Sequence, residues 1–277
     1  DYLKEDYDLV CLTAMNHQAP RAYQIAENFK KRGIKVVMGG YHASALPEEA
    51  LNFVDSVVIG EGEDTFPQVL DDLRKGRLKQ IYRSSGKIDL KKLPPPRLDL
   101  VKDLTWYSKV GLFATRGCEH YCSFCCLWQV YGKGFRTKKV SQVVEEIKLA
   151  NRFYPGCYIS FADENMLFDH DFGKALAKAL IPLNIRWECY CDTSVGEDEE
   201  LLKLLAESGC EELIIGFESI NPKSLGEACR WKKGQGKNYL QVINNIQSHG
   251  IGVLACFVVG FENDKPEDLT RLLDFLK

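Results

Sequence analysis

The chain has 277 residues, 45% hydrophobic and 27% charged, enough apolar mass for two domains or one large barrel. Thirty-six basic residues against thirty-nine acidic ones leave a net charge of -3, which offers a polyanion no general attraction and excludes nucleic acid as the expected partner in favour of a small or neutral molecule. No apolar run reaches the ~18 to 20 residues of a transmembrane segment, and eleven cysteines, an odd number with no secretion signal, predict a reducing, cytoplasmic setting.

The chain opens on charged residues that lead straight into an apolar run, Tyr7 to Ala14, which reads as a buried strand and suggests a fragment of something longer. Ala22, Ile25, Ala26 and Phe29 recur at helical spacing, the helix stops near Gly33, and Lys35 to Gly40 is the next strand. Pro47 to Phe53 suits a short helix, Ser56 to Ile59 a third strand and Thr65 to Lys75 an amphipathic helix. Strands alternating with helices predict a parallel, doubly wound Rossmann-like sheet, here partial, over residues 1–75. Its ligand side carries Thr13 to Asn16, Gly39-Gly40-Tyr41-His42 and Gly60-Glu61-Gly62-Glu63. Paired glycines there permit close backbone approach by a flat ligand, although each pair alone is ordinary turn chemistry.

Residues 76–110 read as a linker. Pro94-Pro95-Pro96 extends as polyproline II, and a short hairpin is expected over Ile81 to Ile88 with Ser85-Gly86 at its turn. From 111 to 277 strand and helix alternate again. Leu112 to Thr115 is the first strand, Ser141 caps a helix through Ala150, and strands follow at Tyr158 to Ala162, Ile185 to Tyr190, Glu212 to Phe217 and Gly252 to Val259. Helices fill the gaps, and one more starts at Pro266. Five βα units in succession predict a parallel TIM-like barrel with its reactive loops at the strands' carboxyl ends.

One of those loops carries Cys118, Cys122 and Cys125 in the spacing C-x3-C-x2-C. Three thiolates on a cubane iron-sulfur cluster leave one iron without a protein ligand, whereas electron carriers are normally closed by four. A zinc site wants four ligands in separated pairs, and His120 or Cys126 as a fourth would crowd the other three. The other cysteines, with Cys189 and Cys191 the pair to check, read as small buried apolar side chains. Arg136, Lys138 and Lys139 read as a solvated basic run.

With Thr115-Arg116-Gly117 before it and Phe124 ahead of the last cysteine, this loop resembles the signature of the radical S-adenosylmethionine (SAM) enzymes. The resemblance runs from about residue 110 to the end. It implies a partial (β/α)6 barrel, truncated here before its sixth strand, and a 4Fe-4S cluster on Cys118, Cys122 and Cys125 that chelates SAM through its open iron. It also implies reductive cleavage to a 5'-deoxyadenosyl radical, with a flavodoxin or ferredoxin as electron donor. Residue by residue, it places Phe124 against the adenine, Asp163 and Glu164 at the amino group of SAM, and Asp192 and Ser194 in a loop that lacks the arginine common in relatives. Glu218, in Gly216-Phe217-Glu218-Ser219, falls at the ribose, and Val259-Gly260-Phe261 near adenine.

Residues 6 to 75, through Gly39-Gly40-Tyr41-His42-Ala43-Ser44, Pro47-Glu48-Glu49-Ala50 and Gly60-Glu61-Gly62-Glu63, similarly resemble the later half of the cobalamin-binding domain fused to many radical SAM enzymes. That likeness implies cobalamin held by the loops of Thr13, Gly39, Gly40, Gly60 and Glu61. The D-x-H-x-x-G loop of that family is absent, and His17 and His42 are lone histidines. Together the two resemblances imply a cobalamin-dependent methyltransferase acting on an unactivated carbon, similar to hopanoid methylases and the anaerobic magnesium-protoporphyrin ester cyclase. A radical cyclase or rearrangement enzyme without methyl transfer, and a non-enzymatic metal or electron-transfer protein, are the competing readings.

Overall fold

A computed structural model describes residues 5–84, 86–101, 108–232 and 235–277, with the side chains of 129, 235 and 237 outside the description. The chain divides into two compact units. The first runs up to Ile88 and includes Cys125–Lys133; the second is Asp89–Phe124 with Gly134–Lys277.

In the first unit, β1 (Leu9–Thr13), β2 (Lys35–Gly39), β3 (Ser56–Ile59) and β4 (Ile81–Arg83) form a parallel sheet in chain order. The helices are α1 (Ala19–Lys31), α2 (Gly40–Ala45), α3 (Pro47–Leu51) and α4 (Phe66–Arg74). Pro20 near the start of α1 lacks only an N–H that would be unpaired anyway. The apolar stripe Ala22, Tyr23, Ala26 and Phe29 packs on Val36, Met38, Val57 and Ile59. β4 corrects the hairpin expected over Ile81 to Ile88: Ile81–Arg83 pairs parallel with β3, because Tyr82 finds a buried place beside Val58 and Val69 that a hairpin arm would not reach. Ser85 of the expected turn lies outside the described residues.

The second unit is built on β5 (Lys109–Leu112), a two-residue strand β6 (Thr115–Arg116), and, beyond the helix α5 (Leu127–Tyr131) that is counted with the first unit, β7 (Arg136–Thr137). Then come α6 (Val140–Phe153), β8 (Tyr158–Phe161), α7 (His170–Leu180), β9 (Arg186–Cys191), α8 (Glu199–Glu207), β10 (Cys210–Glu218), α9 (Pro222–Ala228), α10 (Tyr239–Ser248), β11 (Gly252–Phe257) and α11 (Pro266–Phe275). β5, β8, β9, β10 and β11 lie parallel in chain order, the open-barrel arrangement expected of successive βα units. Trp187, Phe161, Phe217, Ile159, Ile147 and Leu176 are fully buried between strands and helices, each contributing roughly 2 kcal/mol of hydrophobic stabilisation.

Three local expectations are revised here. The first strand ends at Leu112, and Thr115–Arg116 pairs antiparallel with Arg136–Thr137, so the approach to the cysteine loop is a small ladder of its own. Lys139, with extended backbone and no side-chain cap, precedes α6 in place of Ser141. Lys138 is not solvated: it is buried, bonded to Glu146 Oε1 and Oε2 at 2.8 and 2.7 Å, and its Nζ lies 3.7 Å from the centroid of the Phe113 ring. The ladder turns it inward, and its backbone N–H donates to Ala114 O at 2.8 Å. No helix among the described residues is long and apolar enough to cross a membrane.

Candidate functional site

The cysteine loop begins where β6 ends. Gly117, at φ +90° and packed against the Gly134 carbonyl, takes a conformation open to glycine, and Tyr121 is left-handed as well. Cys118, Cys122 and Cys125 are all half-buried, and no disulfide joins any of the eleven cysteines. Among the described residues no three His, Cys, Asp or Glu side chains gather as a mononuclear ion cage. In a cubane each cysteine binds its own iron, so a donor set that does not converge on one point suits a cluster better than a single ion. Three uncrosslinked thiols at this spacing therefore fit the cluster.

Strand ends brace this loop. Asp163, after β8, is buried at 2% exposure, and its carboxylate accepts from the Ala114 N–H at 3.0 Å, the Thr115 N–H and the Thr115 hydroxyl at 2.6 Å. Burial pushes its carboxyl up to about 7 against those three hydrogen bonds. Glu164 Oε2 accepts from the Gly117 N–H at 3.0 Å. Asp192, after β9, takes His120 Nε2 and Asn165 Nδ2 on Oδ2, both at 2.7 Å, and the Ser194 N–H on Oδ1 at 2.8 Å. Burial alone would raise its carboxyl, but the hydrogen bonds from His120, Ser194 and Asn165 outweigh it and hold the group well below the usual carboxylate range. Ser194 Oγ is turned toward His170 Nε2, 3.0 Å away. His120, weighed above as a zinc ligand, instead lies between Asp192 and the Trp231 indole, stacked at 3.8 Å.

At the end of β10, Glu218 sits at φ +66°, a conformation uncommon for a side-chain-bearing residue and often found at functional sites. A register shift lies between Gly216 and Glu218, and the Val258 N–H closes onto Glu218 O at 2.8 Å. A cavity of about 250 Å³ opens there, lined by Glu218, Ser219, Phe257, Val258 and Gly260 among others. The ring of Phe124, 44% exposed, lies 5.9 Å from that of Phe261. Phe261 is fixed in turn by Asp264 Oδ2, which accepts from the Gly260 and Phe261 N–H groups at 2.9 and 3.0 Å.

In the first unit a separate groove of about 450 Å³ is lined by Thr13, Gly39, Gly40, Gly60, Gly62 and Phe66 among others. Gly40 and Gly60 both have φ +85°, and a Cβ at Gly40 would strike Thr13 Oγ1. The lining is glycines and mostly apolar side chains, which fits a large flat group or its tail. Glu61 does not line it: the residue is 4% exposed and its Oε2 accepts from the Ile88 N–H at 3.3 Å. His42 is buried with both ring nitrogens engaged, Nε2 at 2.5 Å from the Tyr23 hydroxyl and Nδ1 at 3.1 Å from Asn16 Oδ1, while His17 is exposed.

Sequence reasoning passed over several residues. Asn165 is 3% exposed, and its Oδ1 has no hydrogen-bond partner among the described residues. It is the third residue of a polar strand end, Asp163-Glu164-Asn165, which was the available signal. Ala228 to Lys232 meet the cysteine loop through the Ser123 N–H to Ala228 O at 2.9 Å, Cys229 Sγ to Cys122 Sγ at 3.0 Å, and the Trp231 stack. No pattern in the sequence marks that segment. Of the remaining cysteines, Cys189, Cys191, Cys210 and Cys229 are buried as expected, Cys157 is half-buried, and Cys11, Cys126 and Cys256 are exposed, against the small-core expectation.

A parallel α/β scaffold with a cysteine-rich loop at its strands' carboxyl ends is the class of an iron-sulfur barrel enzyme. Residues 112–276 match the model of the radical SAM superfamily, and residues 2–70 match that of the B12 binding domain. The chain belongs to the radical SAM superfamily, whose cofactors are a 4Fe-4S cluster and SAM, and its B12-binding match adds cobalamin. It is 30% identical to the bacteriochlorophyllide d C-12(1)-methyltransferase of Chlorobaculum tepidum, across 98% of this chain and 60% of that protein. It is also 30% identical to the C-8(2)-methyltransferase of the same organism, across 98% and 63%. The radical SAM methyltransferase TsrM of Kitasatospora setae, solved with tryptophan and a SAM analogue, superposes with a TM-score of 0.81 at 17% identity, across 99% of this chain and 61% of that one. The chain thus spans about 60% of the length of these relatives.

Proposed function

We propose that the chain is the cofactor-binding part of a cobalamin-dependent radical SAM methyltransferase that methylates an unactivated carbon of a small molecule. The observation that carries this reading is the bracing of the cysteine loop: Asp163, Glu164 and Asp192, from the ends of two strands, all bind loop atoms or the strand leading into it. Loading a cluster onto a loop requires that loop to hold its shape, and buried, fully satisfied hydrogen bonds supply the rigidity.

In this reading Cys118, Cys122 and Cys125 hold the cluster. When bound, the cluster supplies one-electron cleavage of SAM, and cobalamin supplies methyl chemistry. Asp163, 2% exposed and bonded to Ala114 and Thr115, positions the loop, so the amino group of SAM falls to Glu164 and to the unpartnered Oδ1 of Asn165. Asp192 holds His120 and Asn165 in place. Glu218, at the mouth of the second-unit cavity, accepts hydroxyl donors of the ribose, and Phe124 with Phe261 offers an aromatic wall for adenine. Thr13, Gly39, Gly40 and Gly60 line the cobalamin groove, with Glu61 shaping its loop from behind. His42, engaged on both nitrogens, leaves the cobalt without a ligand from that side chain. The electron donor is a flavodoxin or ferredoxin, and the setting is cytoplasmic.

The test is anaerobic reconstitution. About four irons per chain, 5'-deoxyadenosine or S-adenosylhomocysteine formed from SAM under strong reductant, and cobalamin absorption in the visible region are the expected results. One zinc per chain with no SAM turnover would overturn the reading; iron and SAM cleavage without cobalamin uptake would transfer it to the radical rearrangement class.

A further inference from the structure

The segment that follows β10 does more than fill space. Asn221 caps α9 by accepting from the Lys223 N–H at 3.0 Å, Pro222 starts the helix, and after Ala228 the backbone turns extended at Cys229. That break lets Ala228, Cys229, Trp231 and Lys232 make contacts to the cysteine loop and its neighbourhood. The Ala228 carbonyl accepts from the Ser123 N–H at 2.9 Å, the Cys229 S–H donates to Cys122 Sγ at 3.0 Å, Trp231 stacks on His120, and the Lys232 ammonium, 3% exposed, lies against Gly216 O and 3.4 Å from Glu218 Oε1. Cys229 itself has no exposed surface.

We propose that Cys229 is a positioning residue for the cluster: its S–H donates to the sulfur of the ligand Cys122 and raises the cluster's reduction potential. This rests on the cluster reading of Cys118, Cys122 and Cys125. The physics is that of hydrogen bonds to cluster sulfurs generally. A donor stabilises negative charge on the sulfur, the reduced cluster carries one more negative charge than the oxidised one, and the donor therefore favours reduction. The Lys232 ammonium of the same segment is paired with Glu218 Oε1 at 3.4 Å, so the donor aimed at the Cys122 sulfur is the Cys229 S–H.

The experiment compares the wild-type chain with Cys229→Ala and Cys229→Ser after anaerobic reconstitution. Iron content tests the cluster reading, and the midpoint of the cluster, followed by EPR during a redox titration, tests the inference. The expected result is near-wild-type iron in all three. At a fixed poise the ratio of reduced to oxidised cluster in Cys229→Ala is then about tenfold lower, or ~59 mV for one electron. Cys229→Ser, which keeps a donor, is restored most of the way to wild type. An unshifted Cys229→Ala midpoint at full iron content would overturn the proposal, and so would a Cys229→Ser midpoint equal to that of Cys229→Ala, which assigns the effect to lost packing. A readout that needs no cluster follows from the same geometry. In the unreconstituted protein, diamide takes two hydrogens and two electrons from a thiol pair to give a disulfide and the hydrazine, and peptide mapping should find Cys122 joined to Cys229 ahead of other pairs. Mapping that finds Cys122 joined instead to Cys118 or Cys125 would contradict the placement.

Discussion

At the carboxyl ends of β1, β2 and β3 glycines and mostly apolar side chains line a groove of about 450 Å³, with Gly40 and Gly60 at φ +85°. At the carboxyl ends of β8 and β9 the polar side chains Asp163, Glu164 and Asp192 are already bonded to the cysteine loop or to each other's neighbours. The two parallel sheets thus prepare for ligands differently. One leaves shape open for a large group that arrives ready-made; the other spends its carboxylates on holding a loop in which a metal centre is assembled. The difference teaches that a carboxylate at a barrel strand's end is not by that fact a ligand contact. Asp163, a candidate ligand contact in the sequence, is buried and turned to the Ala114 and Thr115 donors of the chain itself.

The sharpest way to break the comparison is at the thiols. Replacing Cys118, Cys122 or Cys125 by Ala should abolish iron retention and bring SAM cleavage to background, while cobalamin uptake persists. Iron analysis and visible absorption on the same samples read both. Next in size is Asp163→Ala, which leaves two N–H groups and the Thr115 hydroxyl buried without their acceptor. The expected cost is on the order of 3 kcal/mol in urea unfolding together with loss of cluster loading. A stable variant that still takes up iron would mean the brace is dispensable.

On the other side of the comparison, Gly40→Ala adds a Cβ against Thr13 Oγ1 at a left-handed position and should cost about 1 to 2 kcal/mol. Cobalamin uptake should weaken with iron content unchanged. His42→Ala sharpens the same point: it leaves the Tyr23 hydroxyl and Asn16 short of a partner and should cost about 1 to 3 kcal/mol, while the visible spectrum of bound cobalamin stays that of the wild type. A changed cobalt spectrum would make His42 a ligand after all. The smallest effect is at Asp55, whose carboxylate accepts from Lys35 Nζ and the Val36 N–H, both at 2.9 Å. Partial burial would raise its carboxyl, but those two partners win and hold it below the ordinary value. A depressed group stabilises the fold above its unfolded pKa, and that contribution is lost as pH falls through the folded value. Asp55→Asn should therefore lower stability modestly at neutral pH, where the charged carboxylate contributes in full, and flatten the acid limb below about pH 4, where wild type and variant converge.

Much of this was legible from spacing. The alternation of buried strands and helices gave both parallel sheets, because a strand covered on both faces must be apolar throughout, and C-x3-C-x2-C identified the loop. The misses are of three physical kinds. Ile81–Arg83 is only three residues long, too short for a period to tell an added parallel strand from a hairpin arm. Lys138 looked solvated because charge is visible in a sequence and its partner Glu146, eight residues on, is not. Cys229 and Trp231 meet the loop at Cys122 and His120, about a hundred residues earlier in the chain, and such pairings leave no periodic trace. Conversely, Asp192 was found by its position after a strand, though its use is to hold His120 and Asn165.

The most direct measurement is the EPR spectrum of the reduced, reconstituted protein before and after SAM is added. Three cysteine ligands leave one iron for the cosubstrate, so the account predicts a clear change in the spectrum on addition of SAM. A spectrum that is identical with and without SAM, from a cluster shown to be fully loaded, would mean that iron is already held by a fourth side chain and would contradict it.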